Sequence, residues 1–225
     1  MPERITVIIP CRTSDVPTET MESLFAQTYK HLDFITVIDT DAKGQSWARN
    51  RGLSIAKFAS VVLFSDYDCR WVPDAVECLY TTLHEAQAAE ASEWPVGYAY
   101  GGYHQMQHGV PALTFGLQPW SWPRLCQSNY ISTMSLVDTK RMAEKGCLQF
   151  DERLQRLEDW DLWLRCGQRG LAGIGVGKIL FETDVKPGVS YGGVSHEEAE
   201  LQVRRLRGLA AYGGVHGGFN SYGRV

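Results

Sequence analysis

Three short apolar runs rich in β-branched residues, Ile5–Pro10 (ITVIIP), Phe34–Asp39 (FITVID) and Ser60–Asp66 (SVVLFSD), are separated by segments with helical spacing. Runs of this kind suit strands buried on both faces, and strand–helix alternation implies parallel pairing through right-handed crossovers. The first intervening helix is expected over TETMESLFAQT, with Met21, Leu24, Phe25 and Thr28 on one stripe and Pro17 and Thr18 as start signals. The second is led by Gly44, and a long third one opens at Pro73.

The second half differs in texture. Trp94 to Arg124 is rich in aromatics, glycine and proline without a helical period, and reads as mixed strands with a mobile loop. Helices are expected near Asp138–Lys145 and Leu157–Gln168, then short strands in LAGIGVGKILFE. A last amphipathic helix would turn Leu201, Leu206 and Leu209 inward, ahead of a glycine-rich tail over 211–225. A chain of 225 residues suits one enzyme-sized domain, here 1–210, with a first half to about 103 and a second from about 104.

A net charge of −4 gives no footprint for nucleic acid, and no run approaches the ~20 apolar residues of a membrane span. The six cysteines form no C-x-x-C pair, so neither a zinc site nor a disulfide framework is indicated, and reduced thiols in a cytoplasmic protein are expected. The N-terminal apolar run is too short for a signal-peptide core.

The chemistry should lie where the strands end, because ligands of open α/β sheets bind outside the carboxyl ends. Polar residues cluster at three such ends: Pro10-Cys11-Arg12-Thr13, Asp39-Thr40-Asp41 and Asp66-Tyr67-Asp68. Asp66 and Asp68, alternate residues leaving a strand, can share one hard divalent cation, Mn²⁺ or Mg²⁺, that would meet a diphosphate. An acidic turn is the plain alternative. His104 and His108 lie among glycines that argue against a helix placing both on one face, and Trp94, Trp120 and Trp122 suit stacking on a sugar ring or packing equally well.

The motifs ITVIIP, SLFAQTY, FITVIDT, KGQSWARNRG, VVLFSDYDCRWVPDAVE, NYISTMSLV and FDERLQRLEDWDLWLRCGQRG, in this order from about Ile5 to Ser190, resemble family 2 glycosyltransferases. That resemblance implies a GT-A fold: a Rossmann-like α/β domain with a mostly parallel sheet flanked by helices and a smaller mixed region on the acceptor side. It implies sugar transfer, with inversion, from a nucleotide diphosphate sugar, UDP-linked by preference, to a glycan, lipid-linked or other hydroxyl acceptor. Pro10, Arg12, Thr13 and Asp39 would then hold the nucleotide, and Arg49 of the ARN motif the nucleotide or its phosphates. Asp159 of the ED pair would be the general base, with Asp161 a structural charge at the same helix start.

Two departures from the family pattern stand out. Asp39 is followed by Thr40 where a second aspartate is common, and Lys186 stands where a histidine often ligates the metal. Asp68 would then be the main ligand, with Asp66 a further ligand or a sugar contact, Lys186 meeting the diphosphate, or His196 reaching back. The rival readings are a nucleotidyltransferase with a similar metal site and a nucleotide-sugar-binding protein without turnover. A homodimer through the C-terminal helix is the expected assembly if there is one.

Overall fold

A computed structural model describes residues 3–12, 18–89, 94–184 and 193–210. Pro17, Thr13, Lys186 and the 211–225 tail lie outside them. One eight-stranded sheet runs through both halves in the order β2-β1-β3-β7-β5-β8-β4, with β6 paired to β5. Its longest ladders, β1 (Ile5–Cys11) with β2 (Leu32–Ile38) and β5 (Val96–Gln107) with β8 (Ala172–Asp184), are parallel. β3 (Val61–Phe64) is parallel to β1 on its other side, whereas β4 (Cys69–Trp71), β6 (Val110–Phe115) and β7 (Leu136–Asp138) enter antiparallel.

Every residue of β1 is buried, as its continuous apolar run requires. β2 departs from expectation: it ends the sheet, and only Val37 along it is buried. Its apolar run therefore reflects strand propensity and half-burial, not a central position.

Two apolar layers flank the sheet. One packs α1 (Thr18–Phe25) and α3 (Ala75–Ala89) on it through Leu24, Leu79 and Leu83; the other packs α2 (Gln45–Ile55), α5 (Thr139–Glu144) and α6 (Glu158–Gln168) through Leu53, Met142, Trp160 and Trp163. On α1 it is Thr20 and Leu24 that are buried, and Phe25 is 62% exposed, so the expected stripe is narrower than its spacing suggests. Buried Gln27 joins α1 to α3, donating to the carbonyls of Ser23 and Val72 and accepting from the N–H of Val76.

The aromatic middle is more regular than its composition suggests. β5 and β6 form a hairpin whose two-residue turn, His108-Gly109, has both φ angles positive (53° and 79°), the twist that matches paired strands. Trp122–Gln127 forms a short helix, α4, capped by the Ser121 hydroxyl, which accepts from the Arg124 N–H. The expected short strands after Leu171 are one thirteen-residue strand, β8, whose register shifts absorb its glycines.

α7 (His196–Arg207) opens with a capping box between Ser195 and Glu198. Leu201 and Leu206 do not turn inward: they are 39% and 38% exposed, and the inward face is Ala199, Val203 and Arg204. Leu209, just past the helix, does pack against the core. The helix is fastened by charge. Arg204 donates to the carbonyls of Cys126 and Gln127, and Arg207 pairs at 2.6 Å with fully buried Asp161, whose other oxygen takes Arg165. Asp161 is thus a structural charge, as expected, shared by Arg165 of its own helix and Arg207 of α7.

Candidate active site

β1, β2 and β3 deliver their carboxyl ends to one edge. The Asp39 N–H donates to Cys11 O, which keeps the β1 and β2 exits level, whereas β3 ends earlier, with Phe64 in register with Ile8 and the Ser65 N–H donating to Ile8 O. Pro10 is buried in register with Val37, and Arg12 is exposed just beyond the β1 end.

Asp39 is held by the loop it begins. Its carboxylate accepts from the backbone N–H groups of Lys43 at 2.9 Å and Gly44 at 2.6 Å, and the loop closes with Ala42 at φ 55°. Gly44 has φ 102° and ψ 167°, a conformation open essentially to glycine alone. Gly44→Ala is expected to cost about 1–3 kcal/mol and to displace one donor to Asp39, read as a lower urea midpoint with unchanged slope.

The β3 exit is clamped by its own residues. Trp71 Nε1 donates to the Ser65 hydroxyl at 2.9 Å, the Cys69 thiol to Asp66 O, and the Thr20 hydroxyl to Tyr67 O. Asp66 and Asp68, both half-buried, leave this exit one residue apart. They stay a pair: among the described residues no group of three or more His, Cys, Asp and Glu side chains comes together that could hold a metal ion. His196 is exposed at the start of α7, and His104 is hydrogen-bonded to Thr114 on the hairpin.

Arg49 occupies the centre of the site. It is not an open phosphate contact, since its side chain is 1% exposed and its guanidinium faces inward. It donates to Asp66 Oδ1 at 2.8 Å, Glu158 Oε1 at 2.7 Å and Gln45 Oε1 at 2.9 Å, and lies over the Phe150 ring. One planar fork thus ties the β3 exit to the start of α6. Asp66 Oδ1 is committed to Arg49.

α6 presents Asp159 beside this junction. Leu157, immediately before the helix, adopts φ 60° and ψ 26°, an unusual conformation for a branched residue, while Trp160, Trp163 and Leu164 are buried below. Asp159 Oδ1 accepts from Asn129 Nδ2 at 3.0 Å and from the Trp160 N–H at 2.7 Å. Burial, then the neighbouring Glu158 charge, push its carboxyl up to about 7 against the opposing pull of those hydrogen bonds and Arg49. Glu158, Asn129 and Gln45 complete the constellation. None was given a role by sequence reasoning, although all three fall within the motifs KGQSWARNRG, NYISTMSLV and FDERLQRLEDWDLWLRCGQRG.

No family model and no curated protein sequence matches the chain. Solved structures do match. Staphylococcus aureus TarS, residues 1–349 in complex with UDP-GlcNAc, superposes with a TM-score of 0.67 at 16% identity over 91% of this chain and 65% of that one. The same protein with UDP gives 0.64 at 17% identity, over 91% and 64%. The fold is that of the GT-A glycosyltransferases. GalNAc-T7 with UDP, GalNAc and Mn²⁺ gives 0.55 at 13% identity over 91% of this chain and 48% of its own. The chain spans 39% to 65% of the length of the TarS structures it matches. Arg12, Asp39 and Asp66 stand just past the ends of β1, β2 and β3. Among the described residues no helix is long and apolar enough to cross a membrane.

Proposed function

We propose that this GT-A chain transfers a sugar, with inversion, from a UDP-type nucleotide sugar to an acceptor hydroxyl, with Asp159 as general base. The observation that carries the reading is the Arg49 bridge, which fastens the base-bearing helix to the donor-side aspartate through 2.8 Å and 2.7 Å ion pairs. Arg49 acts here as a positioning residue. The Asn129 and Trp160 donors both fall on Asp159 Oδ1, which leaves Oδ2 to face an acceptor. A carboxyl raised to about 7 is half-ionised near neutrality and basic enough to take a hydroxyl proton as attack proceeds.

On the donor side, the Asp39 carboxylate suits the N–H edge of a pyrimidine, and Arg12 the diphosphate. Asp68, with Asp66 Oδ2, would hold Mn²⁺ or Mg²⁺, which when bound neutralises charge on the leaving diphosphate. Neighbours solved with UDP, UDP-GlcNAc and Mn²⁺ support this choice of donor and ion. Lys186, outside the described residues, is proposed as a further diphosphate contact, and Pro10 and Thr13 as nucleotide contacts.

A thermal-shift series across UDP-, GDP-, CDP- and dTDP-sugars with and without Mn²⁺ tests the reading, because a ligand of the native state raises Tm by mass action. UDP-sugars with Mn²⁺ should give the largest shift, and Asp68→Asn should remove its Mn²⁺-dependent part. No shift with any nucleotide sugar would overturn the proposal; a shift without donor hydrolysis or transfer would leave only a binding protein.

A further inference from the structure

The two ends of the sheet are finished differently. β4, at one end, has three residues, and its Arg70 is engaged with Glu19, Glu182 and Asp184, a short and charged edge of the kind that discourages further pairing. β2, at the other, is a seven-residue edge, Leu-Asp-Phe-Ile-Thr-Val-Ile, with no proline, lysine or bulge. Two of the large apolar side chains exposed among the described residues belong to this edge: Ile38 on β2 itself and Phe25 on α1, which precedes it. Phe25 also meets Phe34 edge-on at 5.3 Å.

The backbone sets which residues are available. His31 O accepts from the Ile5 N–H and the Asp39 N–H donates to Cys11 O, and a strand's bonds to one neighbour fall on alternate residues. Odd-numbered residues of β2 therefore serve β1, and Leu32, Phe34, Thr36 and Ile38 turn their N–H and C=O groups outward.

We propose that a second copy of this chain pairs antiparallel with this edge about a two-fold axis at Ile35, joining two sheets into one. Centring on Ile35 is the register that uses the whole strand: Leu32 meets Ile38 of the second copy and Phe34 meets Thr36, each pair with outward groups on both sides. It also matches charge. Exposed Lys30 at the start of the strand falls opposite Thr40 of the second copy, beside exposed Asp41, which it would share with Lys43, and the lone strand charge, Asp33, paired with Arg4, falls opposite Val37 and not another acid. A register centred on Thr36 would set Asp33 against Asp39, which like-charge repulsion disfavours. The outward leucines of α7 offer no comparable edge, lying among Glu197, Glu198 and Arg205.

Sedimentation velocity over a concentration series, on the full chain, tests the interface independently of the catalytic reading. The expected result is a monomer–dimer equilibrium in the wild type, weakened at least about tenfold by Thr36→Lys, which places a charge on the outward edge. Circular dichroism and Tm unchanged from wild type would show that the variant keeps its fold. Register is read with single cysteines under oxidised glutathione: Ile35→Cys should cross-link to itself above the wild-type background, while Asp33→Cys should not. A wild type that stays monomeric throughout, a Thr36→Lys dimer as tight as wild type, or self-cross-linking at 33 in place of 35 would overturn the proposal.

Discussion

Asp159→Asn is expected to abolish sugar transfer and, at the same time, to make the protein more stable above neutral pH. The amide keeps the shape and can still accept from Asn129 and from the Trp160 N–H, but it cannot take a proton. Loss of a general base costs about 10²–10⁴-fold in kcat. The stability effect follows from linkage. The folded carboxyl is raised to about 7, against roughly 3.9 in an unfolded chain, so folding favours the protonated form. The stability it contributes is whole below about pH 4 and is lost as pH rises through 7. Asparagine is neutral throughout, so the variant and wild type should be alike at pH 4 and diverge between 4 and 7. Above 7 the variant should be ahead by about 2 kcal/mol, after discounting for partial exposure and for the coupling to Glu158. Urea unfolding at pH 4, 6 and 8 reads this directly. Wild-type kcat/KM should rise with pH along an acid limb with an apparent pKa near 7. Equal stability at pH 8, or an unchanged turnover, would remove Asp159 from the role.

Arg49→Met should be the most damaging single change at the site. Methionine fills much of the same volume over Phe150, but Asp66 and Glu158 would lose the cation they share. Removing one member of a buried ionic cluster typically costs about 3–5 kcal/mol, because the remaining charges stay desolvated without compensation. Arg49→Lys should recover only part, since an ammonium lacks the planar fork that reaches Asp66, Glu158 and Gln45 together. The triple variant Arg49→Met/Asp66→Asn/Glu158→Gln should restore most of the stability but not transfer, because the base-bearing helix would no longer be fastened to the donor edge by charge. If Arg49→Met unfolded no more easily than a surface variant, the bridge would be a contact without energetic weight.

Much of this molecule was legible along the chain. Wherever a few neighbouring residues decide the outcome, local chemistry sufficed: the β-branched runs of β1 and β3, the apolar stripe of α6, the polar residues at the strand exits. The hairpin turn at His108-Gly109 was legible too, as a glycine-bearing pair between strands, but the surrounding aromatics and prolines masked it. Harder were features set by a partner far off in sequence. Nothing near Phe34 says that β2 lies at the sheet's edge, and nothing near Leu206 says that Arg204 and Arg207, not leucines, fasten α7 to the α4 segment and α6.

The site divides along the same line. Residue types and their positions after strands made Asp39, Asp66 and Asp68 candidates, and the family resemblance added Asp159. Which way Arg49 faces was decided only by the tertiary structure. A guanidinium on a helix following a strand can as well reach outward to a phosphate as inward to a carboxylate. The choice rests on Glu158, 109 residues away in the chain, being brought within 2.7 Å of it. Long-range Coulomb partners, unlike helix caps or strand runs, leave no periodic trace in a sequence, since the interaction depends on distance in space alone.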